Sequence, residues 1–176
     1  RTVIPFALET FGKLDILVNN AAAFSRGTIE DTSLELWERI MSLNLRAPYI
    51  LMQEAVNLVM KEKRSGAIIN IGSVNAYIGE PKLCAYSASK GGLMTMTKNA
   101  ASYLLRYRIR VNQINTGWTL TEGEDTIKRE QEGLGDEWVE EAIATRPFGR
   151  LLSPMDTAYA AAYFASDEVS AVTGSA

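Results

Sequence analysis

Gly66-Ala67-Ile68-Ile69-Asn70-Ile71-Gly72-Ser73 reads as a glycine break, an apolar run and a small-residue stop. A run this short and β-branched, bounded by glycines, is the pattern of a buried strand over residues 67–71. Downstream, Ala85 to about Tyr107 is rich in Ala, Leu and Met and long enough for a helix, and Ile109-Arg110-Val111-Asn112-Gln113-Ile114 is a further strand. Upstream, Leu14-Asp15-Ile16-Leu17-Val18 is a short strand closing at Asn19-Asn20, and Asp31-Thr32-Ser33 offers caps for a helix running to Met60. That helix carries an apolar stripe at helical period, and Pro48 marks a bend or an irregular turn within it. Thr2 to Phe11 is the tail of a helix ended by Gly12. Past the third strand come a loop from Thr116 to Gly123, a polar helix over 125–145 interrupted near Gly133 and Gly135, and an alanine-rich helix over 155–166. Short apolar strands joined by helical crossovers predict a parallel sheet covered on both faces. The expected class is therefore α/β, doubly wound and Rossmann-like, in three layers, with residues 1–176 in a single domain.

The 176 residues hold 47% hydrophobic and 22% charged side chains, an ordinary globular balance. A net charge of -3 argues against a nucleic-acid or anionic-membrane surface. No apolar run approaches the roughly 18 residues of a membrane span. Histidine is absent and Cys84 is the one cysteine, which excludes Ser-His-Asp and Cys-His catalysis, an internal disulfide and the usual zinc sites, so no metal is expected. A lone cysteine fits a reducing compartment, and a cytoplasmic location is expected. Acid–base chemistry is left to Tyr, Lys, Asp and Glu.

Cys84-Ala85-Tyr86-Ser87-Ala88-Ser89-Lys90 supplies a candidate. A spacing of four puts Tyr86 and Lys90 on one helix face. A free phenol has a pKa of about 10, and a neighbouring ammonium lowers it towards a value useful in proton transfer. All three strands end in small or polar residues: Asn19-Asn20-Ala21-Ala22, Gly72-Ser73 and Asn115-Thr116-Gly117. Ligands of open α/β sheets bind beyond the carboxyl ends of the strands, and small residues there admit a phosphate-bearing or flat ligand.

Taken together, these stretches resemble the short-chain dehydrogenase/reductase family in its classical branch. Asn19-Asn20-Ala21-Ala22 resembles the family's Asn-Asn-Ala-Gly, and Asn44 stands where the family carries a helical catalytic Asn. Ser73, Tyr86 thirteen residues later, and Lys90 match the remaining catalytic positions, while Val111 to Gly117 resembles the strand before the family's Pro-Gly loop and Thr121 its later Thr. The resemblance implies an NAD- or NADP-dependent oxidoreductase interconverting a secondary alcohol and a ketone or aldehyde. Tyr86 is then the acid/base, Lys90 holds the nicotinamide ribose and lowers the Tyr86 pKa, Ser73 bonds the substrate oxygen, and Asn44 holds a relay water. Asn19, Asn20, Ala21, Gly117, Thr119 and Thr121 line the cofactor with Tyr86 and Lys90. A small hydroxylated substrate such as a sugar or polyol is expected. A 3-oxoacyl-[acyl-carrier-protein] reductase, or a non-catalytic nicotinamide sensor, is the alternative. The family's long helices pack between subunits, so the resemblance implies a homodimer or homotetramer. Ala22 in place of Gly, and Thr116 in place of Pro, are the departures. Arg1-Thr2-Val3 reads as mid-helix, so roughly two βα units, about 80 residues, are expected ahead of it, with a closing strand after Gly174. The charged run Glu122 to Glu141 reads as a solvated face, Trp118 as a possible substrate wall, and Trp138 and Phe148 as covers of the site.

Overall fold

The computed structural model describes residues 2–63 and 65–176, so Arg1 of the expected leading helix lies outside them. Helix α1 (Val3–Phe11) stops at Gly12, whose φ of 70° closes the helix by returning its N–H to Leu8 O. Strand β1 (Ile16–Asn19) follows, then a run of helix made of α2 (Leu34–Met41), α3 (Ala47–Ala55) and α4 (Lys61–Lys63) joined by π turns over 42–46 and 56–60. Strand β2 (Gly66–Ser73) leads to helix α5 (Cys84–Leu104) and strand β3 (Ile109–Thr116). Helices α6 (Glu122–Glu130), α7 (Trp138–Ala144) and α8 (Pro154–Ala165) complete the chain. Among the described residues no helix is long and apolar enough to cross a membrane.

The sheet is parallel in the order β1-β2-β3. Period-two alternation divides its side chains between two covers. Leu17, Ile68 and Val111 face α3 and α5 and share a core with Met52, Ala101 and Leu104. Ala67, Ile69 and Ile71 face the other way, onto Ala161, Phe164 and Ala165 of α8. The face towards α3 and α5 also carries a polar row. Asn19 pairs with Asn70 and Asn70 with Gln113 in the strand register. Asn19 Nδ2 donates to Asn70 Oδ1 at 2.8 Å, Asn70 Nδ2 to Thr97 Oγ1 at 2.9 Å, and Gln113 Nε2 to Asn115 Oδ1 at 2.7 Å. Fully buried amides survive in a core only when partnered in this way.

Three expectations shift. The first strand starts at Ile16 rather than Leu14, because Asp15 turns outward to Lys63 and Lys13. Strands β2 and β3 each run two residues past their apolar stretches, because Gly72 and Ser73 still pair with Asn115 and Thr116. Thr116, standing where the family has Pro, keeps an N–H and so can belong to this ladder. Pro48 does mark an irregular turn. It has no N–H to give and its ring would crowd the carbonyl four residues back; the π turn over 42–46 directly precedes it and makes room.

Candidate active site

A cavity of about 1240 Å³ opens at the carboxyl ends of the strands. Of the residues singled out in the sequence, Asn20, Ala21, Ser73, Tyr86, Lys90, Gly117, Thr119 and Thr121 line it. Asn19 and Asn44 do not. Asn19 is buried beneath the rim in the polar row. Asn44 sits in the π turn, 1% exposed, where its side chain grips the loop after β1: Oδ1 accepts from Ala23 N and Nδ2 donates to Ala23 O, both at 2.7 Å. Its second N–H donates to Ser89 Oγ at 3.1 Å, and Ser89 in turn donates to Tyr86 O at 2.7 Å. Both amide hydrogens are thus engaged in joining the loop after β1 to helix α5. Ala22 needs no glycine-like backbone, since Arg108 alone among the described non-glycine residues has a positive φ.

Ser73 ends β2, where its Oγ accepts from Asn75 N at 3.2 Å and caps the following turn. Its side chain also faces the Tyr86 phenol and acts to lower its pKa. Lys90 is 3% exposed, and its Nζ donates to Ile71 O at 2.7 Å. The ammonium lies over the Tyr86 ring, 5.6 Å from the centroid. Thr121 caps α6 by accepting from Glu124 N, and the loop before it is held by backbone bonds between Trp118, Leu120 and Leu152.

A family model described as Enoyl-(Acyl carrier protein) reductase matches residues 1–176. A solved structure assigned as a short-chain alcohol dehydrogenase from Sinorhizobium meliloti 1021 superposes with a TM-score of 0.86 at 31% identity, over 99% of this chain and 67% of that one. The chain belongs to the short-chain dehydrogenase/reductase family. It is 37% identical over 174 residues to an uncharacterized oxidoreductase of Thermotoga maritima, covering 98% of this chain and 68% of that protein. It is 32% identical over 168 residues to an NADP-dependent (R)-specific alcohol dehydrogenase of Lentilactobacillus kefiri, covering 94% and 64%. Across curated relatives the chain spans about 60 to 68% of the partner's length.

In this short-chain dehydrogenase/reductase chain the electrostatics of the Tyr–Lys pair differ from the expectation. Burial pushes the Tyr86 phenol above its ordinary value of 10.0. The Ser73 hydroxyl opposes that, the Glu124 carboxylate adds to it, and the Arg26 guanidinium counters it. The Lys90 ammonium itself is directed to the main chain of β2 and lies over the Tyr86 ring. Burial also pulls Lys90 down from 10.5 to about 8.

The run Glu122 to Glu141 is not simply a solvated face. Glu124 is 7% exposed and accepts from Trp118 Nε1 at 2.9 Å and Arg26 Nη2 at 2.8 Å. Glu132 bonds Arg26 and Lys128, and Asp125 accepts from Trp138 Nε1 at 2.8 Å. Trp118 lines the cavity and stacks on Trp138, with centroids 6.1 Å apart. Trp138, buried behind it, backs the wall rather than covering the site, and Phe148 is 90% exposed. Arg26, Lys128 and Glu132 were invisible in the sequence as cavity residues. Their partners lie up to 106 positions apart, and no local spacing announces such a cluster.

Proposed function

We propose that the full-length protein is an NAD(P)-dependent oxidoreductase that interconverts a secondary alcohol and a ketone or aldehyde. The observation that carries this reading is the convergence of Ser73, Tyr86 and Lys90 on one cavity at the strand ends of a short-chain dehydrogenase/reductase. Nicotinamide cofactor chemistry is supported by the NADP dependence of the Lentilactobacillus kefiri relative. It is also supported by the site. Lys90 Nζ has three donors and one hydrogen-bond acceptor, Ile71 O, among the described residues, so donors remain for a ribose diol. Ala21, Gly72 and Gly117 keep the rim low beside it. When bound, the nicotinamide supplies or accepts the hydride. Tyr86 gives a proton to the carbonyl oxygen in reduction and removes it in oxidation. Ser73, beside Tyr86 on the same cavity, holds the same oxygen where charge develops. Asn44 fixes α5 against the loop after β1, and Asn19 supports the cofactor rim from below.

The substrate approach mixes Phe24, Ile78, Leu83 and Trp118 with Asn75 and Glu80, which suits a small hydroxylated ring or polyol. The description of the matching family model favours an acyl-carrier thioester as the second reading. The full-length protein incubated with NAD+ or NADP+ and a panel of cyclohexanols, polyols and 3-hydroxyacyl thioesters is expected to produce reduced nicotinamide absorbance. Tight cofactor binding with no turnover of any panel member would instead make it a nicotinamide sensor.

The 176 residues are read as the central and C-terminal part of one domain, acting in the cytoplasm. Between α2–α3 and α5 runs a groove floored by Met41, Leu45, Tyr49, Gly92 and Met96. We propose that it packs against a second copy in a homodimer or homotetramer. A monomer by light scattering at micromolar concentration would overturn this.

A further inference from the structure

Helix α6 forms one wall of the cavity, yet it has little apolar hold on the rest of the molecule. Glu124 is its one buried residue, and none of its side chains belongs to an apolar core cluster. What fastens it is charge. Arg26, in the loop after β1, donates from Nη2 to Glu124 Oε1 at 2.8 Å and from Nε to Glu132 Oε1 at 2.7 Å. Glu124 lies in the first turn of α6 and Glu132 just beyond its end, so one guanidinium holds both ends of the helix. The main-chain N–H of Arg26 adds a bond to Gln131 Oε1 at 3.0 Å, and Nη1 donates to Phe24 O at 3.3 Å. The side chains of Arg26, Glu124 and Glu132 are only 14%, 10% and 12% exposed. At that burial a planar, forked donor is far better suited than a lysine to bridge two carboxylates.

The loop bearing Arg26 is fastened on its other side to the helix that carries Tyr86. Gly27 N donates to Lys82 O at 2.8 Å, and Cys84 N donates to Gly27 O at 3.0 Å, two residues before Tyr86. Phe24 touches the start of α6 so closely that a Cβ at Gly123 would stand 3.1 Å from its ring. Arg26 is thus the joint between the Tyr86 helix and the opposite wall. The two charges of the joint act on the phenol in opposite senses, Glu124 raising its pKa and Arg26 lowering it.

We propose that Arg26 is a positioning residue whose paired bonds to Glu124 and Glu132 hold α6 closed over the cavity and thereby set the affinity for substrate. It acts through the wall it holds. The kinetic part of this proposal rests on the oxidoreductase reading; the structural part stands without it.

The test is hydrogen exchange on the full-length protein. In Arg26→Met, amides 126–130 are expected to exchange at least tenfold faster, with the amides of β2 and β3 unchanged. Arg26→Lys is expected to give an intermediate acceleration, and Glu132→Gln, which keeps an acceptor oxygen but removes the charge of one arm, a smaller one in the same direction. With cyclohexanol as the probe substrate, Arg26→Met is expected to raise KM tenfold or more, with kcat within threefold and cofactor affinity unchanged. Unaltered exchange over 126–130, or acceleration spread equally through β2 and β3, would overturn the latch. So would loss of kcat and cofactor affinity in step with KM. A wild-type protein that turns over no alcohol sinks the oxidoreductase reading alone, and the exchange result still decides the latch.

Discussion

Tyr86→Phe in the full-length protein is expected to lower kcat by about 10²- to 10⁴-fold, the usual contribution of a positioned general acid or base. The substitution removes one oxygen and leaves the ring, so the contact under Lys90 persists and the cofactor should bind as before. Steady-state turnover and a cofactor titration on the same sample check the two halves. The loss should appear in kcat and in kcat/KM alike, because the proton transfer is made only in the transition state. Activity within threefold of wild type would remove Tyr86 from the mechanism. In the free protein the phenol starts above its ordinary pKa, through burial first and Glu124 after it. The proton is therefore firmly held before ligands arrive, which suits an acid in the reductive direction.

Lys90 is expected to trade stability for function. Its folded pKa of about 8 lies below the ordinary 10.5 because burial penalises the ammonium. The unfolded chain therefore binds more protons between about pH 8 and 10.5, and stability contributed by this group rises with pH across that window. Below pH 8 both states carry the charge and the full penalty applies. The drop from 10.5 to about 8, at about 1.36 kcal/mol per pH unit, corresponds to about 3 kcal/mol. Lys90→Met keeps the aliphatic stem and forfeits the bond to Ile71 O, a loss of about 1 kcal/mol. The variant should then be about 2 kcal/mol more stable than wild type at pH 7, and the difference should vanish or reverse by pH 10.5, while turnover is lost. Urea midpoints of both proteins at the two pH values measure this. A variant less stable at pH 7 by an amount that does not change with pH would refute it.

The residues that were readable in the sequence share a property: their signals are local. Ala67 to Ile71 announced a strand because β-branched residues stood between glycines, and Tyr86 and Lys90 announced a shared face because four residues separate them. Pro48 pointed to an irregular turn because its missing N–H acts on its own helix. What stayed hidden depends on distant packing. Nothing near Glu124 says that it will be buried against Arg26, 98 residues earlier, so the acidic run looked like a solvated surface. The direction of the Lys90 ammonium towards the main chain of β2, and the engagement of Asn44 with Ala23, likewise arise only when three segments meet. The reading brought Ser73, Tyr86 and Lys90 to one rim but expected a lowered Tyr86 phenol where burial raises it, because desolvation is set by neighbours the spacing cannot name.

The row Asn19, Asn70 and Gln113 has a consequence for where strands stop. All-apolar parallel strands can slide past one another by two residues at little loss, since another branched side chain takes the vacated place. A row of amides restrains that freedom, for a two-residue slip faces Asn19 with Ile68 or Gly72 instead of Asn70, and a slip of one sends it to the opposite cover. The amides thus work as a registry key cut across the sheet. They lie three residues before Ser73 on β2 and three before Thr116 on β3. By locking the strands side by side there, the key sets Ser73 and Thr116 level with each other on the rim, although neither residue touches it.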